Sequence, residues 1–103
     1  MSDCNVWIYC RVAGQDDVTL ERQKERLIAY AQQCFFTDIH VCTDRSSGNT
    51  ADRPCIQELL TALDVGKVDV LLVKDLGRLY RKPIDLFSFL LRLREDDVLV
   101  LTL

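Results

Sequence analysis

The sequence is short of the residues that most catalytic constellations need. It has one histidine, His40, which leaves no Ser-His-Asp or Cys-His arrangement at a credible place. Its five cysteines (Cys4, Cys10, Cys34, Cys42 and Cys55) are an odd number with no CxxC pair, so zinc-type spacing is missing. Six residues beyond them stand Cys10, Asp16, His40, Gly48 and Thr61, never the arginine that a cysteine phosphatase requires. Reduced, buried thiols of a cytoplasmic protein are the expectation. No glycine-rich phosphate loop is present, because "SSGNTADR" lacks the GxxxxGK[ST] pattern. No carboxylate cluster marks a magnesium site, so neither a metal nor another cofactor is expected. "MSDCNVWIYC" lacks the basic start and long apolar core of a signal peptide, and no apolar run approaches a membrane span. Nor is there an excess of positive charge: 13 Lys and Arg against 16 Asp and Glu excludes a chain that coats nucleic acid over its whole surface. A local basic pocket stays open.

What is present is a pattern of alternating elements. At 103 residues, 49% of them apolar, the chain reads as a soluble, globular domain or a piece of one. "NVWIYCRV" (5–12) is apolar on both faces until Arg11, as suits a strand covered on both sides. Asp16, Asp17 and Thr19 can cap a helix over about 19–34, whose face carries Leu20, Leu27, Ala31 and Cys34. "DIHVCTD" (38–44) predicts a second strand, with His40 partly exposed and nothing nearby to share a metal. After a polar loop (45–53), Pro54 opens a helix carrying Ile56, Leu59, Leu60 and Leu63, and Gly66 stops it. "KVDVLLVK" (67–74) predicts a third strand and "DLGRLYRK" (75–82) a cation-rich loop. Pro83 opens a third helix, and "VLVLTL" (98–103) predicts a fourth strand cut off at the last residue. The order β-α-β-α-β-α-β predicts an α/β fold: an open, mainly parallel sheet with helices on both faces, truncated in its fourth strand.

In such sheets the functional crevice lies beyond the carboxyl ends of the strands. There the pattern places Arg11 and Ala13, then Asp44, Ser46, Ser47 and Arg53, then Lys74, Asp75, Arg78 and Arg81. Guanidinium groups offer planar paired donors suited to phosphate oxygens, so the cluster is a candidate clamp for a phosphodiester. The plain alternative is a set of solvated loop cations paired with Asp16, Asp17, Asp44, Asp52 and Asp75.

Together, "YCRVAGQDDVTLERQ", "TDRSSGNTADRPCIQELL" and "VDVLLVKDLGRLYR" resemble the three blocks of the catalytic domain of serine site-specific recombinases, the resolvase/invertase family with its large integrases. The resemblance covers nearly the whole chain in order. It implies a metal-free DNA breakage and rejoining, in which a serine attacks a phosphodiester, becomes linked to the 5′ phosphate and releases a 3′ hydroxyl. Carried over by position, Arg11, Arg53, Arg78 and Arg81 match the family's arginines, Gln23 its helix glutamine, and Ser47 with Gly48 its "SG" pair. For Gln23 the alternative is an exposed helix residue, and for Ser47 a turn former.

Two departures stand out. The family pattern YxRVS puts its nucleophile two residues after the first arginine, where this chain has Ala13, without an oxygen to attack phosphorus. Gly77 stands where relatives often carry aspartate or serine, a position that varies. Substitution by Ser46 or Ser47 would need the shift of a whole loop. The resemblance therefore implies residues 1–103 of a resolvase-like domain from a transposon or phage element, inactive as it stands. It also implies a longer protein, with an absent dimerisation helix and DNA-binding domain, that meets DNA as a homodimer or tetramer. The 103-residue piece would then bind DNA weakly or not at all and would not cleave it. Two other readings stay open: a non-catalytic module that keeps the fold for partner contacts or regulation, and an unrelated phosphate-binding or receiver-like α/β protein, for which Asp44 and Asp75 are thin support.

Overall fold

The computed structural model describes residues 4–14, 16–45 and 53–103. Four strands, β1 (Asn5–Val12), β2 (Asp38–Arg45), β3 (Val70–Val73) and β4 (Leu99–Thr102), alternate with three helices, α1 (Asp17–Gln33), α2 (Pro54–Asp64) and α3 (Pro83–Glu95). All pairings are parallel and the strand order is β2-β1-β3-β4. The open parallel α/β sheet expected from the alternation is the fold observed.

Strand parity sorts the core. In β1 the even residues Val6, Ile8, Cys10 and Val12 join Val70 and Leu72 against Leu20, Leu27 and Ala31 of α1. The odd residues Trp7 and Tyr9 join Leu71 and Val73 against α2 and α3. A strand buried on both faces cannot alternate polar and apolar residues, which explains the unbroken apolar run. Asp16 caps α1: its carboxylate accepts from the Thr19 backbone N–H (3.0 Å) and hydroxyl (2.5 Å).

The differences from the sequence reading are local. β3 begins at Val70 rather than residue 67, because Lys67 N–H still closes the end of α2 on the Ala62 carbonyl. Ala62 lies in the buried face of α2 where Leu60 was expected, and Leu60 packs only partly. Residues 76–78 form a short 3₁₀ turn inside the expected loop. α3 buries only Phe89 and Leu93, leaving Ile84, Phe87 and Leu91 exposed. No described helix is long and apolar enough to cross a membrane.

The expected set of reduced thiols is corrected: Cys42 of β2 and Cys55 of α2 are joined as a disulfide, and Cys4, Cys10 and Cys34 are free. The expectation that nothing near His40 could share a metal is corrected too, since Cys42 and Glu58 lie beside it. The Cys42–Cys55 and His40–Glu58 contacts cross from a strand to a helix, a proximity that linear spacing does not reveal.

Candidate functional site

The strand order creates the site. From β1 the chain leaves through α1 to β2 on one flank, and from β3 through α3 to β4 on the other. The loops beyond β1 and β3 therefore diverge, opening a crevice at the carboxyl ends of those two strands. Arg11 stands at that end of β1, and the 3₁₀ turn Leu76–Arg78 follows β3.

Arg11 is only 4% exposed. By parity it shares the α2/α3 side with Tyr9, and its side chain crosses to the turn. Its Nε donates to the Arg78 carbonyl and its Nη2 to the Gly77 carbonyl, both at 2.9 Å. Its backbone is gripped from the other side by Gln23, whose Oε1 accepts from Arg11 N–H (3.2 Å) and whose Nε2 donates to Arg11 O (3.4 Å). Gln23 is thus buried, and the exposed-helix alternative for it is corrected. The signal was legible, since residues 20, 23, 27 and 31 fall on one helical face.

Arg53 sits at the N-terminus of α2 and is 2% exposed. Its Nη2 donates to Tyr9 Oη (2.7 Å) and to the Arg78 carbonyl (2.8 Å), and its Nε to Tyr9 Oη (3.2 Å). The guanidinium carbon lies 5.4 Å from the centroid of the Tyr9 ring and 5.2 Å from that of Tyr80, at cation–π range. Tyr9 donates its own hydroxyl to Asp44 Oδ2 at 2.7 Å. Asp44, also buried, accepts from the N–H groups of Cys55 (3.1 Å) and Ile56 (3.3 Å). It thereby caps α2 from β2, a task that the Arg53 side chain does not perform.

One residue, Arg78, gathers the network through its carbonyl, which accepts from both Arg11 and Arg53. Its own Nε is buried and stands 3.7 Å from Asp75 Oδ2, beyond hydrogen-bond range. Arg53 Nη1 and Arg78 Nε are buried donors with no hydrogen-bond acceptor among the described residues. A buried unsatisfied donor is costly, and on a guanidinium it is a place for an anion.

The electrostatics agree with a crowded positive centre. Burial lowers the Arg11 pKa, and the nearby charge of Arg53 lowers it further, as do those of Arg78 and Arg81. Burial is also the main cause raising the pKa of Tyr9, which keeps that phenol neutral and able to donate to Asp44.

Not every expected site residue joins the cluster. Arg81 is exposed, acting on Arg11 through its charge. Ala13 is exposed just past β1, beside Gly14, whose φ of +69° suits the turn. Lys74 falls on the α1 side, as its even position after Val70 and Leu72 requires. There it lines a cavity of about 250 Å³ with Arg22, Gln23 and Arg26. Ser47, with Ser46 and Gly48, lies outside the described residues. Tyr9 and Tyr80 belong to the cluster although neither is among the residues expected from the sequence, and Asp44 holds it rather than merely pairing with loop cations. Tyr9 could have been found as the inward neighbour of Arg11 two positions back, whereas Tyr80 carried no such signal.

Chemically the site offers convergent guanidinium donors and a neutral phenol. At the exposed position 13, just beyond β1, it offers a methyl. The model of the family described as "Resolvase, N terminal domain" matches residues 6–103. Among solved structures, the C-terminal catalytic domain of ISC1926 TnpA, an IS607-like serine recombinase, is 26% identical, with a TM-score of 0.87 over 95% of this chain and 66% of that one. The N-terminal catalytic domain of TP901-1 integrase is 25% identical, with a TM-score of 0.84 over 95% of this chain and 76% of that one. A resolvase family site-specific recombinase from Streptococcus pneumoniae, 24% identical with a TM-score of 0.79 over 97% and 72%, shares the fold. The chain thus spans just under two thirds of the first of these.

Proposed function

Because this chain belongs to the family of resolvase N-terminal domains, we propose that its arginine cluster holds a DNA phosphodiester and that Ala13 leaves the site without its nucleophile. In this reading residues 1–103 are the resolvase-like catalytic domain of a serine recombinase carried by a transposon or phage element. The observation that carries it is the pair of buried, acceptor-free donors, Arg53 Nη1 and Arg78 Nε, at the strand-order switch point. A phosphate admitted beside these enclosed nitrogens would supply the acceptor each lacks, and the surrounding positive charge would stabilise the extra negative charge of phosphoryl transfer. Arg11 contributes charge while its side chain braces the turn that presents Arg78. Gln23 positions Arg11. Arg81, Lys74 and Ser47 are proposed as contacts to the same or flanking phosphates.

The reaction itself needs an oxygen at position 13. With serine there, Oγ would attack phosphorus, the bond to the 3′ oxygen would break, and the 5′ phosphate would stay on the protein. Alanine removes that route, and arginines cannot replace it. The test uses the full-length protein on its labelled recombination site. The unchanged sequence should give no covalent adduct, whereas Ala13→Ser should give cleavage at least about 10⁴-fold above background. An adduct formed with Ala13 in place would overturn the proposal. Gly77→Asp can be added, since a Cβ at Gly77 meets only the exposed Asp75 carboxylate, at 3.2 Å.

A second reading, the non-catalytic module, is favoured by the outer face of α3. Ile84, Phe87 and Leu91 recur at i, i+3 and i+7, and are 70%, 60% and 44% exposed. Such a stripe suits a partner or a second copy. If the Ala13→Ser protein binds DNA but never cleaves, while Phe87→Glu breaks self-association, this reading replaces the first.

A further inference from the structure

We propose that β2 and α2 together carry a redox-gated divalent-metal site made of His40, Cys42, Cys55 and Glu58. Two periodicities build it. Along β2 a spacing of two puts His40 and Cys42 on one face, and along α2 a spacing of three puts Cys55 and Glu58 on one face. The two faces meet: Cys42 and Cys55 are bonded through their sulfurs, with Cα atoms 5.6 Å apart. His40 Nε2 lies 3.1 Å from Glu58 Oε1. The ligand atoms of His40, Cys42 and Glu58 all lie within 4.8 Å of one another.

Two sulfurs, one imidazole nitrogen and one carboxylate oxygen make a donor set for tetrahedral zinc. In such a site, bonds of about 2.0–2.3 Å put neighbouring ligand atoms about 3.3–3.8 Å apart; His40 Nε2 and Glu58 Oε1 stand near that spacing at 3.1 Å, whereas the two bonded sulfurs must part on reduction to reach it. His40 is held in place by Trp7, its partner across the β1–β2 ladder, with ring centroids 4.1 Å apart. As a plain ion pair His40 and Glu58 would add little, because both side chains are about half exposed. Their convergence on a cystine is what an ion pair leaves unexplained.

The gate is the disulfide. A dithiol reductant opens it: the reductant's two sulfurs close on each other, and its two hydrogens end on Cys42 and Cys55. A divalent ion then displaces the two thiol protons and bonds to both sulfurs, to His40 Nε2 and to Glu58. Either state ties β2 to the first turn of α2, next to Arg53 and the Asp44 cap. The reduced, metal-free state lacks that tie. In a reducing compartment, where cystines are rare, the metal takes the place of the cross-link.

The test titrates cobalt(II) alone into the chain, before and after reduction by a phosphine that is then removed. The reduced chain should bind one equivalent, with tetrahedral d–d bands and a thiolate-to-cobalt charge-transfer band, and the oxidised chain should show neither. Denatured without reductant, the oxidised chain should expose three thiols, Cys4, Cys10 and Cys34. His40→Ala and Glu58→Ala, both at exposed positions, should keep the far-UV circular dichroism and weaken cobalt at least about 10-fold. Cys4→Ser with Cys34→Ser should change nothing. Absence of the bands after reduction, five thiols in the oxidised chain, or His40→Ala and Glu58→Ala variants that bind as tightly as the parent would each overturn the proposal.

Discussion

The two faces of the sheet bury different things. Against α1 the described core is apolar, one thiol (Cys10) included, apart from one amide, Gln23. Against α2 and α3, at the carboxyl end of the strands, the fold buries Arg11, Asp44, Arg53 and the Tyr9 hydroxyl in one connected network. Burying charge is expensive even when it is paired, and well-packed apolar residues would serve stability as well or better. One face is therefore built for stability. The other gives up part of that stability to hold guanidinium groups together, two of whose buried donors, Arg53 Nη1 and Arg78 Nε, have no acceptor among the described residues.

That contrast can be broken most severely at Asp44. Asp44→Ala should cost about 3–5 kcal/mol, since it strands the Tyr9 hydroxyl, two N–H groups of α2 and the Arg53 charge behind them. Leu27→Ala on the opposite face should cost a similar amount, about 2–5 kcal/mol. Urea unfolding measures both. Only the first should also abolish phosphodiester binding when the two folded variants are compared. A smaller effect is expected of Arg53→Lys, which keeps the charge but loses the planar fork. Phosphodiester affinity should fall about 10-fold or more, as read by titration at fixed low salt.

Tyr9→Phe sharpens the contrast further. It removes one buried hydroxyl that both donates and accepts, and should cost about 1–2 kcal/mol. It should also change the alkaline limb of stability. The folded pKa of Tyr9 is raised above its unfolded value, so the unfolded chain gives up its proton first. Stability is then level below about pH 10 and falls as the pH rises beyond it. In Tyr9→Phe that fall should be shallower. The smallest change concerns neither face. Phe35 ends α1 with φ of +64° while 88% exposed, and Phe35→Gly should stabilise the fold by about 0.5–1 kcal/mol.

Element order, strand parity and the positions of Arg11 and Arg78 at the crevice were legible in the sequence, because periodicity and strand-end position are local properties. The side on which Lys74 falls was legible by the same parity, although the sequence reading grouped it with the arginines. What the sequence could not show is how the donors are used. Arg11 and Arg53 read as loop cations reaching for a ligand, yet much of their bonding holds the Gly77 and Arg78 carbonyls and Tyr9. Carbonyl partners leave no trace in residue type. The link between Cys42 and Cys55, thirteen residues apart, depended likewise on how α2 docks against β2.

The central claim is that a phosphodiester binds the polar face, at Arg53 and Arg78. The most direct test follows the guanidinium nitrogen–proton resonances of every arginine while a dinucleoside monophosphate is titrated into the folded chain at low salt. The account predicts saturable shifts at Arg53 and Arg78, lost in Arg78→Ala, with Arg22 and Arg26 of the α1-side cavity unmoved. Shifts at Arg22 and Arg26 with Arg53 and Arg78 unchanged would contradict it.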